Sequence, residues 1–522
     1  MLVLLSRLNP GLQCVRMLNR ETIMKLSNVK LPKAIVTTLY AAIAACCAHA
    51  ATAASADLEL YLDTETKQIF AEPGTNRVRI GSFRPVDEAE ADSVVVQPVA
   101  TESGAPAARL AEIETKLEEQ SQLLTTVQQG NTRSRWAESL QLRGYLQTRY
   151  TEMLSGDEGV NLWSDRSVGD ENSLGDADKN YLIRRARLVI QGDIGERLSI
   201  YLQPDFASTA GTTGHVLQMR DAYGDFYIDK GRVHRLRVGQ SKVPYGFENL
   251  QSSSNRLTLD RNDAFNSSVK DERDLGVFYY YTPAEVQARF AEINSAGLKH
   301  SGNYGMFGLG LYNGQGANRG DRNDNQHVVA RVSYPWKFAD GQFFEAGVQA
   351  YSGKYAPAVG AYRTANNTSV TPIIPGQDTF GFDDERVGVS AIWYPQPFGV
   401  QAEWNWGKGP QLDLATNTIK EEDLEGGYIQ AMYMTTNELG TFIPFVKWQY
   451  YDGANKAETN APANDVNDLE LGVEWQIARE VELAAVYHMM DRTNLVTGNR
   501  AGRIDYQNFD TDAIRLQLQY NY

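Results

Sequence analysis

The sequence has almost no cysteine, and the little it has lies at the beginning of the chain. Three cysteines, Cys14, Cys46 and Cys47, occur in 522 residues. No framework of disulfides or cysteine metal ligands can therefore run through the rest of the chain. This absence suits a chain that is exported through an oxidising compartment.

Histidine is scarce as well, and the signatures of common enzymes are missing. Neither a His-Glu-x-x-His zinc motif nor a Gly-x-Ser-x-Gly nucleophile motif occurs in the sequence. The histidines beyond residue 56 are scattered: His215, His234, His300, His327 and His488. We therefore expect no enzyme and no metal site, and no cofactor is implied.

Long apolar runs and an excess of basic charge are also lacking. No stretch of about 18 apolar residues is present, which excludes a membrane-spanning helix. The formal net charge is -15 and the mean hydropathy is -0.42. The basic surface of a nucleic-acid-binding protein is therefore not expected, and nucleic acid is excluded as a partner.

Residues 1–56 predict a signal peptide. A basic segment that begins at Met24 is followed by an apolar segment at 34–48. Small residues then allow cleavage after Ala50 or after Ala56. We expect translation to start at Met24, because the residues before it fit no part of a signal peptide.

Two small periplasmic elements are predicted between the signal peptide and residue 139. Residues 57–106 contain "LELYL" and "RVRIGSF", which predict a hairpin, followed by a linker rich in acidic residues, Ala and Pro. Residues 107–129 predict a coiled-coil helix, because apolar residues occupy most of the a and d heptad positions: Leu110, Ile113, Leu117, Leu124 and Val127. About three heptads are marginal alone, and Leu at a with Ile at d favours trimers or higher states. A lone amphipathic helix packed on its own domain is the alternative.

From residue 139 to residue 522 short segments of alternating polarity recur, as in "HVVARVSYPW" and "AIRLQLQYNY". Very short turns alternate with long polar loops, and aromatic residues crowd the segment ends. These features are typical of transmembrane β-barrels with even strand numbers. The sequence therefore predicts an all-β fold, an antiparallel transmembrane barrel of about sixteen strands. A secreted β-sandwich explains the alternation but not the regular pattern of short and long connections.

Several segments resemble a known family. They are "LIRRARLVIQGDIGERL", "RDAYGDFYI", "LRVGQSKVPYGFENL", "DERDLGVFYYY" and "YGMFGLGLYNGQGAN", in this order. These segments are similar to motifs of the phosphate-selective porin O and P family of Gram-negative outer membranes. The resemblance implies a homotrimer of sixteen-stranded barrels whose third external loop, here about 247–270, folds inward. Lys242, Tyr245 and Glu248 are then the candidate constriction residues.

Strand periodicity assigns side chains to the lumen, because every second residue of a barrel strand faces inward. An arginine facing lipid at mid-membrane would cost about 2–4 kcal/mol. The basic residues predicted to line the pore are Arg143, Arg149, Arg185, Arg187, Arg237, Arg331, Lys447 and Arg515. The acidic ones are Glu345, Glu403, Glu470, Glu474 and Glu482, with Asp205 expected to join them. Lys242 has the outward parity of a regular strand, and Arg220 and Arg273 lie in segments without clean alternation.

These assignments predict an outer-membrane porin that passes small hydrophilic solutes by diffusion. Barrel closure would join Arg515, Arg143, Arg149, Arg185 and Arg187 into one basic wall, whose guanidinium groups suit anions such as phosphate. Alternatively, the arginines pair with the acidic residues and only brace the wall, which gives an unselective general porin or one that prefers cations or amphiphilic solutes. A structural or adhesive barrel tethered by its coiled coil is a further alternative. The expected partners are outer-membrane lipid, other copies of the chain and small anionic solutes.

Overall fold

A computed structural model describes most of the chain from residue 139 onward. The described residues are 139–157, 160, 162, 165, 179–210, 213–363, 368–375, 380–496 and 505–522, together with 58–63, 69–70, 77–83, 115–122 and 125. The predicted signal peptide and its cleavage positions Ala50 and Ala56 lie outside them. The chain divides into two compact units, Met1–Leu110 and Ala111–Tyr522.

The larger unit is a closed antiparallel barrel, and the predicted sixteen strands are confirmed. In chain order the strands are β1 Gln141–Gly156, β2 Lys179–Ile194, β3 Leu198–Ala210, β4 Thr213–Tyr227, β5 His234–Lys242, β6 Arg273–Tyr281, β7 Phe307–Tyr312, β8 His327–Lys337, β9 Phe343–Tyr355, β10 Phe382–Trp393, β11 Phe398–Asp413, β12 Thr418–Tyr433, β13 Gly440–Ala454, β14 Ala463–Ala478, β15 Val481–Val496 and β16 Asp505–Asn521. A short strand, Thr435–Asn437, continues the pairing of β12 with β13. Each strand pairs with its neighbours in sequence, and β16 closes the barrel against β1.

Strand β8 shows how the sequence pattern becomes a two-sided wall. His327, Val329 and Arg331 are buried inside the barrel, whereas Val328 and Val332 are 45% and 52% exposed on its outer surface. Branched apolar side chains pack well on a pleated surface, and the outer face of a membrane barrel is apolar. Strong alternation therefore fixes which face of each strand meets the lumen.

Aromatic residues cluster at the turn between β8 and β9 and at the end of β10. Trp336 stacks on Phe344 at 5.5 Å between ring centroids, and Phe338 stacks on Trp393 at 5.6 Å. We call this end of the barrel the terminal end, because β1 begins and β16 ends there. The opposite end, which carries the longer connections, is the loop end.

Residues 243–272 connect β5 to β6 and enter the lumen; we call them the inner loop. They include two one-turn helices, α1 (Phe247–Leu250) and α2 (Asp263–Asn266), all of whose residues are buried. In α2 the side chain of Asn262 accepts a hydrogen bond from the backbone N–H of Phe265, which caps the helix N-terminus. Phe265, Tyr245 and Tyr351 then pack in a common buried cluster.

A helix that the sequence pattern did not reveal lies between β6 and β7. Helix α3 (Ala284–Ser295) buries Val286, Phe290 and Ile293, which share one helical face. The chain reverses after it at Gly297, whose φ of +67° favours glycine. Residues 296–303, the strap, then run back into the terminal end of the barrel.

The N-terminal residues that are described form small elements. Strands Leu58–Asp63, Ile69–Phe70 and Arg77–Phe83 pair as a three-stranded antiparallel sheet with Leu58–Asp63 in the middle. Residues 115–122 are helical, within the predicted coiled coil. Among the described residues, no helix has the length and apolar character needed to cross a membrane.

Candidate functional site: the charged lumen

The inner loop is fastened to the barrel wall by charged groups from distant strands. On its α1 side, Glu403 of β11 accepts hydrogen bonds from the backbone N–H groups of Phe247 and Glu248, and Lys447 of β13 binds the Glu248 carboxylate at 2.7 Å. Glu403 therefore accepts from two backbone N–H groups at the start of α1 that have no partner within the helix. Two predicted pore-lining residues, Glu403 and Lys447, thus hold the loop.

The α2 side of the inner loop is bound in the same way. Arg386 of β10 donates a hydrogen bond to the Ala264 carbonyl at 2.8 Å. Arg492 of β15 forms an ion pair with Asp263 at 2.8 Å. The loop therefore crosses the lumen and is anchored on the side opposite the strand from which it leaves.

The start of the inner loop explains Lys242. A regular strand would turn this side chain toward lipid, but β5 ends there and the chain bends inward. The Lys242 ammonium donates to the Leu250 and Gln251 carbonyls at 2.9 and 2.6 Å, and it is buried. Tyr245 is also fully buried, in ring contact with Phe265.

Arg149 and Arg515 lie side by side, where β16 meets β1. Both form ion pairs with Asp165, from the loop after β1, and with Asp260 of the inner loop. Burial alone would raise the pKa of Asp260, but Arg149 and Arg515 outweigh it and hold the pKa well below its usual range. This part of the basic wall is therefore occupied by acids of the protein's own loops.

The next arginines along the wall are only partly neutralised. Arg187 forms an ion pair with Asp205 at 2.7 Å and donates to the Tyr145 hydroxyl at 2.9 Å. Arg185 donates to Gln147 at 2.8 Å, and no carboxylate among the described residues lies within ion-pair distance of it. Arg256 of the inner loop acts electrostatically on Arg185.

Arg185 and Arg256 keep unused hydrogen-bond donors. The Nε atom of Arg185 and the Nε and Nη1 atoms of Arg256 are buried without a partner among the described residues. Within the part of the chain that the structure describes, Arg256 donates one hydrogen bond, to the Leu259 carbonyl at 3.3 Å. A buried donor without a partner costs about 1–3 kcal/mol, so an anion or water would stabilise both side chains.

The remaining predicted basic residues are distributed around the wall. Arg237 is paired with Asp225 at 2.7 Å, and Arg331 with Glu345 at 3.2 Å. Arg143 is exposed near the terminal end and donates to Gln191 at 3.3 Å. The structure thus does not bring Arg143 into the cluster formed by Arg149 and Arg515.

Three of the predicted acidic residues, Glu470, Glu474 and Glu482, lie on β14 and β15, next to the strand that closes the barrel. Glu474 of β14 forms a buried ion pair with Lys299 of the strap at 2.5 Å. Glu482 of β15 accepts a hydrogen bond from Asn521 at 2.8 Å, and Glu470 is buried with one carboxylate oxygen that has no partner among the described residues. Acidic and basic side chains therefore occur together around the wall, as in the Arg187–Asp205 and Arg331–Glu345 pairs.

The strap joins the inner loop inside the barrel. Gln251 donates to the Lys299 carbonyl at 2.8 Å, and Asn255 donates to the His300 carbonyl at 3.0 Å. Around them, apolar side chains of the inner loop, the strap, α3 and the wall form one buried cluster: Phe247, Leu257, Leu259, Ile293, Leu298, Phe343, Ile392, Tyr394, Met432 and Ile443. Packed side chains therefore fill part of the lumen near the terminal end.

Periodicity missed several charged side chains of the lumen. Arg184 lies at an irregularity in the pairing of β1 with β2 and reaches Asp165 at 3.5 Å. Arg220 pairs with Asp271 at 3.0 Å, and Arg273 pairs with Asp221 at 2.9 Å. Irregular pairing breaks the alternation on which the assignment depends, whereas a local excess of arginine in "LIRRAR" was visible in the sequence.

A sixteen-stranded closed barrel with a charged interior and an apolar exterior defines a channel protein of the outer membrane. The model of the family phosphate-selective porin O and P matches residues 159–522, and the chain belongs to this family. It is an outer-membrane porin, a multi-pass barrel of the Gram-negative outer membrane. The predicted family and localisation are confirmed. Channel proteins, not enzymes, make up this family and fold.

Solved structures with a similar fold have low sequence identity. The outer membrane channel DcaP of Acinetobacter baumannii is 14% identical, with a TM-score of 0.44, covering 73% of this chain and 97% of that chain. The trimer form of OmpT of Vibrio cholerae is 12% identical, with a TM-score of 0.43 and coverages of 74% and 99%. The anion-selective porin from Comamonas acidovorans is 12% identical, with a TM-score of 0.40 and the same coverages. No curated protein matches the chain.

Proposed function

We propose that this porin passes small hydrophilic solutes by diffusion and prefers anions such as phosphate. The observation that carries the proposal is the pair of buried guanidinium groups of Arg185 and Arg256, which keep free N–H donors and no carboxylate partner among the described residues. Guanidinium donors bind phosphate and carboxylate oxygens strongly in a site of low dielectric constant. Arg184 and Arg187 add positive charge close to Arg185.

The competing interpretation, an unselective porin, is supported by the pairing of the other basic residues. Arg149, Arg237, Arg331 and Arg515 all have acidic partners within the protein. Neutralised pairs brace the wall and contribute little net field. The anion preference therefore depends on Arg185 and Arg256 rather than on the whole basic wall.

The reversal potential in a potassium chloride gradient tests this proposal. We expect the purified porin in a planar bilayer to favour chloride, and we expect Arg185→Gln combined with Arg256→Gln to lower the anion-to-cation permeability ratio several-fold. Arg197→Gln, in the exposed turn between β2 and β3, is the matched control and should leave the ratio unchanged. A wild-type porin that favours cations, or a double variant with unchanged selectivity, contradicts the proposal. A silent barrel would instead favour a structural or adhesive role.

We further propose the organisation of the remaining chain. Residues 1–56 are a signal peptide, 57–106 a periplasmic hairpin and linker, and 107–129 a coiled coil that helps three copies associate. Leu117, on the predicted heptad seam, is 67% exposed in the single chain, which suits a residue that packs against other copies. We expect Leu117→Asp to lower the temperature at which the oligomer dissociates in detergent, whereas Glu118→Gln, off the seam, should not. An unchanged dissociation temperature for Leu117→Asp contradicts a trimerising coiled coil.

A further inference from the structure

Four side chains form a stack on the lumen wall near the terminal end. Tyr201 of β3 and Tyr223 of β4 lie with ring centroids 5.0 Å apart and an angle of 6° between their planes. The guanidinium carbon of Arg143 lies 6.0 Å from the Tyr201 ring centroid, and that of Arg237 lies 3.7 Å from the Tyr223 centroid. We call this arrangement the tyrosine–arginine stack.

The two ends of the stack differ in charge. Arg237 is buried and makes two hydrogen bonds to the Asp225 carboxylate, at 2.7 and 2.8 Å, which neutralise it. Arg143 is exposed, makes one long hydrogen bond to Gln191, and has no carboxylate within ion-pair distance among the described residues. The Arg143 end therefore presents a positive charge that is available to a solute.

The distance between Arg143 and Tyr201 leaves this end of the stack loosely packed. A cation attracts an aromatic face within about 6 Å of its centroid, so Arg143 lies at the limit of the contact. Because β1 and β4 lie on opposite sides of β3, Arg143 approaches Tyr201 from the side away from Tyr223. A planar ring that displaces Arg143 from the Tyr201 face would continue the stack, while the guanidinium could bind a carboxylate at the edge of that ring.

Tyr304, which follows the strap, lies at the Arg237 end of the stack. It lies 5.7 Å from Arg237, measured from its ring centroid to the guanidinium carbon, and within electrostatic range of Tyr201 and Tyr223. Burial raises the pKa of Tyr304 to about 12, so its hydroxyl remains protonated at physiological pH. Tyr304 therefore places an uncharged side chain at the Arg237 end of the stack.

We infer that the tyrosine–arginine stack is a subsite for aromatic carboxylates on their way through the pore. The Tyr201 face that Arg143 now approaches would bind the ring of the solute, and Arg143 would bind its carboxylate. Carbohydrates fit less well, because the acidic acceptors that would bind sugar hydroxyls are committed: Asp225 to Arg237 and Asp221 to Arg273. Inorganic phosphate would leave the Tyr201 face unused. The inference rests on the proposed function, since the solute must first be an anion that the pore admits.

Block of the chloride current in single-channel recordings tests the inference. Benzoate and cyclohexanecarboxylate have the same charge and similar size, but only benzoate carries an aromatic ring. We expect benzoate to half-block the wild-type current at a concentration about 2- to 10-fold lower than cyclohexanecarboxylate, the range expected for an aromatic pair. Tyr201→Leu should abolish that difference, whereas Tyr201→Phe should retain it.

Two further variants separate the subsite from general effects. Arg143→Gln, at an exposed position, should weaken block by both carboxylates equally. Tyr433→Leu replaces an exposed tyrosine and should change the block by neither carboxylate. Equal block by the two acids with normal chloride current would overturn the subsite alone, as would a benzoate preference that survives Tyr201→Leu. A wild-type channel that carries no anion current would instead overturn the proposed function.

Discussion

Lys299 and Glu474 form an ion pair, 2.5 Å from Nζ to Oε1, between the strap and the barrel wall, and both side chains are buried. The two residues are far apart in sequence and approach from different directions. The strap enters from the terminal end after α3, whereas Glu474 belongs to β14. Removal of either partner of such a buried pair leaves an uncompensated charge, at a cost of about 3–5 kcal/mol.

Removal of Lys299 should release the strap. In Lys299→Ala, Glu474 remains buried beside Glu482 without its cation, so we expect water to enter and the strap to leave the wall. Single-channel recordings should show a larger mean conductance with more noise, and limited proteolysis should cleave near Gly302. Lys337→Ala removes an exposed ion pair with Glu292 of α3 and is the matched control. A Lys299→Ala channel with wild-type conductance and protease resistance would contradict this role.

Asp260 should be essential for the position of the inner loop. Asp260→Asn removes the charge that Arg149 and Arg515 share and leaves two arginines close together with Asp165 alone. We expect a loss of about 3–5 kcal/mol in the free energy of unfolding, as for other broken buried pairs, and an irregular channel current. Thermal unfolding in detergent, followed by circular dichroism, measures the first effect. Asp340→Asn, in the exposed turn between β8 and β9, should be neutral.

Glu403 should fasten α1 because both of its carboxylate oxygens accept hydrogen bonds from backbone N–H groups. In Glu403→Gln one amide oxygen can still accept from an α1 N–H group, but the amide NH₂ faces a second donor. We expect α1 to loosen at a cost of about 1–3 kcal/mol, detected as a lower thermal midpoint and faster hydrogen exchange at Phe247 and Glu248. Glu438→Gln, at an exposed turn, provides the comparison. Unchanged exchange at α1 would rule out this fastening role.

Acid should weaken the fastening of the inner loop. The pKa of Asp260 is held below its usual range by Arg149 and Arg515 despite its burial, and Arg149 likewise outweighs burial to lower the pKa of Asp165. Because these folded-state pKa values lie below the unfolded value of about 3.9, the stabilisation is complete at neutral pH and is lost as pH falls below about 4. We expect thermal stability to decrease and channel noise to increase there. Asp260→Asn should show a shallower decrease.

The sequence alone predicted the strands and their number, because a membrane barrel forces polarity to alternate along every regular strand. The family was predicted from the resemblance of particular segments to its motifs. Arg331 and Arg237 lie on strands with clean alternation, and both side chains are buried in the structure. Arg184 illustrates the limit, because an irregular strand pairing shifts its side chain out of the pattern. Lys242 illustrates a second limit. A regular strand would turn its side chain toward lipid, but β5 ends at this residue and the chain bends inward. Helix α3 was not predicted, because its apolar face is short and because it lies in a connection between two strands, where no helix was expected.

What the sequence could not determine is which charges cancel. It supplied the arginines of the basic wall and the acidic side chains of other strands, but Asp165, Asp260 and Lys299 reach them from connections that periodicity does not describe. The tertiary structure decided that Arg149 and Arg515 fasten loops, that Arg185 and Arg256 keep unused donors, and that the strap covers Glu474. The physical reason is distance: alternation is a property of neighbouring residues, whereas ion pairing in a closed barrel joins residues that only the fold brings within hydrogen-bond range.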